Sequence, residues 1–340
     1  MLQSTKIYIA VLVSFLFVGP AALAETMSST TPEDGSWAVS SAPLDVASST
    51  PAETGAPAEP AIRVKLYQTK DPVKFSSPFA HAVYSGDELK GTLPADEMAA
   101  LSYHKGTYTF KSKSIYFQSS DYVRLIPDDP ADYFTLLNSK RRLPGRKTNY
   151  NAYRGALEYV FSPKSAEPYL INELPLEEYV AGLGEASNGA AEEYLKALAV
   201  AGRTYAYMMI GPRSAKHLFD VYASTVDQLY LGYNSEIALP RVAAASADTA
   251  GTMVTYNGSP VITNYFAHSN GLTKMWDGRG FGSRPWMQSV EAPYDVGKKM
   301  SGHGYGMSSY DAAMRALKDG WSYDTILAYY YTRTGIQKMY

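Results

Sequence analysis

The residue best placed to do chemistry is Glu185. Gly184 precedes it, and beyond Ala186 comes the small polar turn Ser187-Asn188-Gly189, so no bulky local side chain crowds its carboxyl. The helical spacing on either side puts it at the junction of two helices. Near a helix C-terminus the dipole disfavours a carboxylate, and with partial burial this raises the pKa toward the range a general acid needs. The N-terminus of the next helix opposes that effect, so the net sign is open at this point. The plain alternative is a glutamate that bonds a neighbouring helix end.

Two other segments offer reactive side chains. In Gly302-His303-Gly304-Tyr305-Gly306-Met307-Ser308 the alternating glycines let backbone approach a ligand or another strand closely, and they leave His303 with little packing beside it. A histidine so placed serves function or structure equally well. The run Ala267-His268-Ser269-Asn270-Gly271 half resembles the nucleophile elbow of a serine hydrolase, with Ala where the first Gly belongs. An elbow needs a helix directly after its serine, whereas Gly271-Leu272-Thr273 and Trp276-Asp277-Gly278-Arg279-Gly280 read as loop.

Other chemistries lack their residues. The chain has no cysteine, which excludes thiol catalysis, disulfides and cysteine-ligated zinc. His81, His104 and His217 lie far apart, with no His-Glu-x-x-His pattern, no calcium-loop spacing and no phosphate loop. No metal and no cofactor is expected. A net charge of −2 gives no reason to expect nucleic acid as a partner.

The elements that must position these residues are legible as an α+β order: β-rich, helical, β, then helical. Residues 1–24 read as a signal peptide, with the apolar run Ile7 to Val18 after Lys6 and the small-residue site Ala22-Leu23-Ala24. Residues 25–61, rich in Ser, Thr, Ala and Pro, read as a tether, because burial there cannot offset the entropy of ordering. An exported protein in the periplasm, cell wall or medium follows, with an uncleaved anchor as the alternative. Residues 62–340 form the folded region, 62–150 being β-rich, with alternation at Ile62 to Leu66, Thr107 to Phe110, Ser114 to Phe117 and Tyr122 to Ile126.

In residues 151–340 the spacing predicts a short helix from Leu176 to Glu185 with Pro175 at its start, and a longer one from about Ala190 to Ile210, stopped by Gly211-Pro212. Leu195, Ala199, Gly202, Ala206 and Met209 define its buried stripe. Asn257-Gly258 marks a hairpin, and helices are expected at Ser309 to Lys318 and, capped by Ser322, at Tyr323 to Tyr331. The basic run Lys140-Arg141-Arg142 with Arg146-Lys147 reads as a solvated turn. Most of the 29 tyrosines are expected in core and strands.

Several segments, in order, resemble the stage II sporulation protein D (SpoIID/LytB) family. They are Tyr153 to Glu158, Ile171 to Tyr207, Asp227 to Gly232, Ser269 to Thr273, Pro285 to Asp295, Gly302 to Leu317 and Ile326 to Tyr331. The resemblance implies a lytic transglycosylase acting on peptidoglycan glycan strands, with Glu185 as the catalytic acid. It further implies that Arg203, Gln228, Ser269, Gly271, His303 and Ser308 are substrate-binding cleft or support positions. Hydrolysis of a glycosidic bond normally takes two carboxylates. A lytic transglycosylase instead lets one glutamate protonate the bridging oxygen and then take the proton of the muramyl 6-hydroxyl, giving a 1,6-anhydro end. A different reading is a non-catalytic peptidoglycan-binding module that recruits or stimulates a wall amidase.

The chain departs from the family pattern in three places. Ala186-Ser187 follow the glutamate where Met-Pro is frequent, Lys274 stands where an acid is usual, and the cysteine-histidine zinc site of some relatives cannot be built without cysteine.

Overall fold

The computed structural model describes residues 57–212, 217–278 and 282–340. The expected signal peptide and all but the last residues of the expected tether lie outside these. Among the described residues no helix is long and apolar enough to cross a membrane.

Twelve strands come first: β1 (Ala61–Gln68), β2 (Val73–Ser76), β3 (His81–Ser85), β4 (Glu88–Leu93), β5 (Ala99–His104), β6 (Thr107–Lys111), β7 (Tyr116–Ser119), β8 (Val123–Pro127), β9 (Tyr133–Leu136), β10 (Ala152–Arg154), β11 (Ala156–Ser162) and β12 (Glu167–Pro175). Period-two burial in strands such as β8, where Val123 and Leu125 point in, gives each sheet one apolar face. One sheet, completed by β13 (Val221–Tyr222), runs β13-β1-β12-β11-β8-β3-β4, and the other runs β10-β9-β2-β5-β6-β7. Their inward residues, among them Val64, Phe75, Val83, Leu101, Phe110 and Leu157, form one core.

The helical part is built around α2 (Glu192–Met209), which follows α1 (Leu176–Ala181). The expected stripe is buried except Met209, but so are Tyr194, Ala197, Leu198, Val200, Ala201, Arg203 and Thr204. The reason is that α2 is central: α4 (Pro240–Asp248), which follows α3 (Tyr233–Ala238), β14 (Thr252–Tyr256) and α6 (Tyr323–Tyr330) all pack on it, leaving it little solvent face. The hairpin turn falls at Asn257-Gly258, both with positive φ of 51° and 78°, joining β14 to β15 (Ser259–Pro260). A short parallel pair, β16 (Tyr265–Phe266) and β17 (Met307–Ser308), then brings two distant loops together. The β18 strand (Gly335–Lys338) closes the chain against β14.

Three expectations about boundaries change. The helix expected to run on to Glu185 is α1, and it ends at Ala181, with Pro175 as its N-cap residue. The helix beginning at Ser309 is regular only to Met314 (α5) and widens into a π-turn over Arg315–Asp319 before Gly320. Ser322 occupies the N-cap position of α6 but its hydroxyl bonds the Asp324 carboxylate rather than a backbone N–H. In the basic run, Lys140, Arg142 and Lys147 are exposed as expected, whereas Arg141 bonds the Ala223 carbonyl and Arg146 the Tyr150 hydroxyl at 3.2 Å.

Candidate active site

Glu185 is held by pairing of loop with loop. Beyond α1 the chain lies antiparallel to residues 229–231: Leu183 bridges Tyr230, the Gly184 N–H donates to the Leu229 carbonyl at 2.8 Å, and the Leu231 N–H donates to the Gly182 carbonyl at 2.9 Å. The two segments are in such close contact that a Cβ on Gly184 would lie 2.2 Å from Leu231 Cδ1. This approach aims the Leu229 N–H at Glu185 Oε1, 3.0 Å away.

The second carboxylate oxygen, Oε2, accepts the hydroxyl of Tyr265 from β16. Tyr265 is itself fixed: Gln228 Nε2 donates to its oxygen at 2.8 Å and to the Gly202 carbonyl at 3.2 Å. The Tyr179 hydroxyl donates to Gln228 Oε1 at 2.9 Å. A directed chain, Tyr179 to Gln228 to Tyr265 to Glu185, therefore ends on the carboxyl. Behind it is an apolar wall that includes Val180, Leu183, Leu195, Leu198 and Val242.

Desolvation by this wall raises the Glu185 pKa above the ordinary value of 4.5, and the bonds from Tyr265 and Leu229, which favour the carboxylate, offset only part of the rise. The cause is thus burial, not the helix dipole expected from sequence, since α1 ends four residues earlier. Among the described residues no second carboxylate perturbs Glu185. Asp227, beside Gln228, has its oxygens on the Tyr205 hydroxyl at 2.7 Å and the Tyr222 N–H at 2.8 Å.

The remaining sequence-derived positions fall into two groups. Arg203 is fully buried and cannot meet a substrate: it makes a two-pronged ion pair with Glu177 (2.8 and 2.6 Å) and donates to the Ser246 carbonyl at 2.9 Å. Glu177 also accepts the Gly251 N–H and the Tyr340 hydroxyl, so Arg203 ties α1, α2, α4 and the C-terminus together. Gln228, Ser269 and Ser308 are also sealed, at 1, 0 and 0 % exposure, which makes them supports rather than contacts.

Ser269 and Ser308 both donate to Asp295 Oδ2, at 2.8 and 2.6 Å, and the Ser269 N–H joins them at 2.7 Å. This buried hub locks the 269 loop onto β17. It also removes Ser269 as a nucleophile: its hydroxyl is bonded to a carboxylate, no helix follows it, and the neighbouring His268 imidazole lies against the Ser269 carbonyl, not its hydroxyl.

Gly271 turns the same loop at φ 116°, a conformation that suits glycine, with Val296 3.1 Å from where a Cβ would sit. His303 is at the surface, its ring 5.6 Å from that of Phe266 in β16. Its Nδ1 accepts the Tyr305 N–H at 3.0 Å, which leaves the proton of the neutral ring on Nε2. Packing around the ring pushes its pKa down; the Tyr265 carbonyl pulls it up, and the cations Lys274 and Arg284 push it further down.

Sequence reasoning missed Tyr265, Tyr179, the Leu229 N–H and Asp295. Asp295 stands within a segment that carried the family resemblance. For Tyr265 no local signal exists, since a tyrosine in a short strand is ordinary. The zinc donors of some relatives are absent, and among the described residues no three His, Asp or Glu side chains converge.

Residues 164–256, which include Glu185, Arg203 and Gln228, match the family model described as stage II sporulation protein (SpoIID). The chain is 31% identical over 163 residues to stage II sporulation protein D of Bacillus subtilis (strain 168), covering 42% of this chain and 48% of that protein. It is 30% identical over 186 residues to the protein of the same name from Bacillus amyloliquefaciens, covering 45% and 51%. The chain thus spans about half the length of the curated relatives it matches. The domain match and both relatives point the same way: residues 164–256, the segment that supplies the carboxyl and its backbone donor, form a SpoIID domain similar to that of stage II sporulation protein D.

Proposed function

We propose that this protein is an exported lytic transglycosylase that cuts peptidoglycan glycan strands, with Glu185 as its single acid and base. The observation that carries this reading is a carboxyl, half-buried, raised in pKa by an apolar wall, and met on both oxygens by fixed donors. Its acid form is favoured before reaction by desolvation. Once it has given its proton to the bridging oxygen, the Leu229 N–H and Tyr265 hydroxyl stabilise the carboxylate that develops, and they need no reorganisation to do so.

The steps balance without water. The C1–O4 bond breaks as O4 receives the Glu185 proton, the 6-hydroxyl oxygen of the muramyl ring closes onto C1, and its proton returns to Glu185. A hydrolase would need a second carboxylate to activate water. Among the described residues no such group perturbs Glu185, which fits the intramolecular route. Mass spectrometry of purified strands after incubation tests the reading: anhydro-muramyl ends support it, and reducing ends, heavier by one water, would replace it with hydrolysis.

A further inference from the structure

Arg284 is a buried cation that no carboxylate of the described residues meets. It is 8 % exposed, donates through Nη1 to Asn264 Oδ1 at 2.6 Å, and lies with its Cζ 3.9 Å over the ring of Trp276. The other guanidinium groups buried to this degree have their acids: Arg203 has Glu177 and Arg315 has Asp311. Among the described residues none pairs with Arg284. Asp277, on the same loop, is held by the Tyr305 hydroxyl at 3.1 Å. Burial accordingly pushes the Arg284 pKa below its ordinary value. A buried charge is costly unless it is paired, so a fold that leaves one unpaired beside a cleft has room for a ligand to complete it.

The surroundings fit such a ligand. Arg284 lines a groove of about 430 Å³ together with Met275, Trp276, Ser283, Pro285 and Gln288. That volume is at the lower end of small-ligand sites and suits a sugar unit. Two links run from the groove toward Glu185. Asn264, the Arg284 partner, directly precedes Tyr265. The Tyr205 hydroxyl interacts with the charge of Arg284 and also with Tyr179, the residue that begins the chain of bonds to Glu185. Exposed Lys274 adds a second positive charge, and both cations act on His303.

We propose that Arg284, seated over Trp276, forms a subsite for a carboxylate carried by the glycan strand, adjoining Glu185 on its Tyr265 side. The proposal rests on the reading of this cleft as a glycan site. The planar guanidinium can take a carboxylate with two parallel hydrogen bonds, which Lys274 alone could not do. The carboxylate has two sources on a wall strand: the lactyl group of the muramyl ring itself, and the acids of an attached peptide.

Binding by calorimetry, in a Glu185→Gln background so that no turnover intervenes, tests it. The probes are peptide-free strands, the same strands methyl-esterified, peptide-bearing strands, and a chitin oligomer of equal length. Arg284→Gln should weaken binding of peptide-free strands about ten- to a hundred-fold and leave the chitin oligomer unaffected. With Arg284 intact, esterification should cause the same loss, an arm that needs no Arg284 variant to fold. A loss confined to peptide-bearing strands would support the subsite with the peptide as source. Equal affinity for esterified and free strands, together with no effect of Arg284→Gln on peptide-bearing strands, would overturn the subsite while leaving the glycan cleft standing. No binding to any strand or to chitin would overturn the cleft reading and the subsite with it.

Discussion

The hydroxyl of Tyr265 donates to Oε2 of Glu185 across 80 residues of chain, and among the described residues it is the one side chain that bonds the carboxyl. Neither residue is placed by a regular long element. Glu185 sits in a loop zipped to residues 229–231, and Tyr265 in a two-residue strand paired with Met307–Ser308. The acid therefore depends on contacts between loops, which the buried Asp295 hub and the Arg203–Glu177 pair keep in register.

Replacing Tyr265 by Phe removes that donor and leaves Gln228 Nε2 with the Gly202 carbonyl alone. If the bond stabilises the carboxylate as it forms, kcat should fall about a hundred- to a thousand-fold with little change in KM. The bond also lowers the Glu185 pKa, so its loss should move the falling limb of the rate–pH profile to higher pH. Steady-state kinetics across pH would show both; an unmoved limb would mean that Tyr265 only fills space.

The raised pKa of Glu185 has a stability consequence with a definite sign. A carboxyl whose pKa is higher folded than unfolded binds its proton more tightly in the folded state. That contribution is fully present below about pH 4.5 and is lost as pH rises through the folded value. Glutamine at 185 does not titrate. Thermal melts should therefore show the Glu185→Gln variant gaining on the wild type as pH rises across this window, and a constant difference would contradict the raised pKa.

Arg203→Ala should cost about 3 kcal/mol or more in a denaturant titration, since it strips a buried, two-pronged partner from Glu177 and three carbonyl or hydroxyl acceptors on neighbouring elements. The fraction that remains folded should cut strands at the wild-type rate. A loss of turnover without a loss of stability would restore a direct role for Arg203.

Ser269→Ala should retain cutting, and the wild type should be unaffected by serine-directed covalent reagents. The substitution breaks the bonds to Asp295 and to the Gly271 N–H, so a destabilisation of about 1–3 kcal/mol is expected. Inhibition by such a reagent would contradict the supporting role given to this serine.

Much of the fold was legible because periodicity reports burial. The strand alternation, the Asn257-Gly258 turn and the long helix α2 all follow local patterns. Glu185 stands out in the sequence through its uncrowded neighbours and its family context, and in the structure its carboxyl is met by the Leu229 N–H and the Tyr265 hydroxyl. The helix before it was drawn too long because Leu183 and Gly184 continue a helical spacing, while their actual partners, Leu229 to Leu231, are more than 40 residues away. The same limit concealed the bond from Tyr265 to Glu185, since a hydrogen bond between distant loops leaves no local trace. Gln228, Ser269 and Ser308 were found as positions but not as buried supports, because a polar side chain in a motif looks the same whether it faces substrate or an internal carboxylate.

The central claim is that Glu185 alone supplies acid and base to cut the strand. The most direct test is mass spectrometry of purified glycan strands after incubation with the wild type and with its Glu185→Gln variant, the variant's strand binding being measured alongside. The account predicts anhydro-muramyl products from the wild type, none from the variant, and retained binding by both. Anhydro products from the variant at the wild-type rate would contradict it, and wild-type protein that binds strands without cutting them would leave a recruiting module in place of an enzyme.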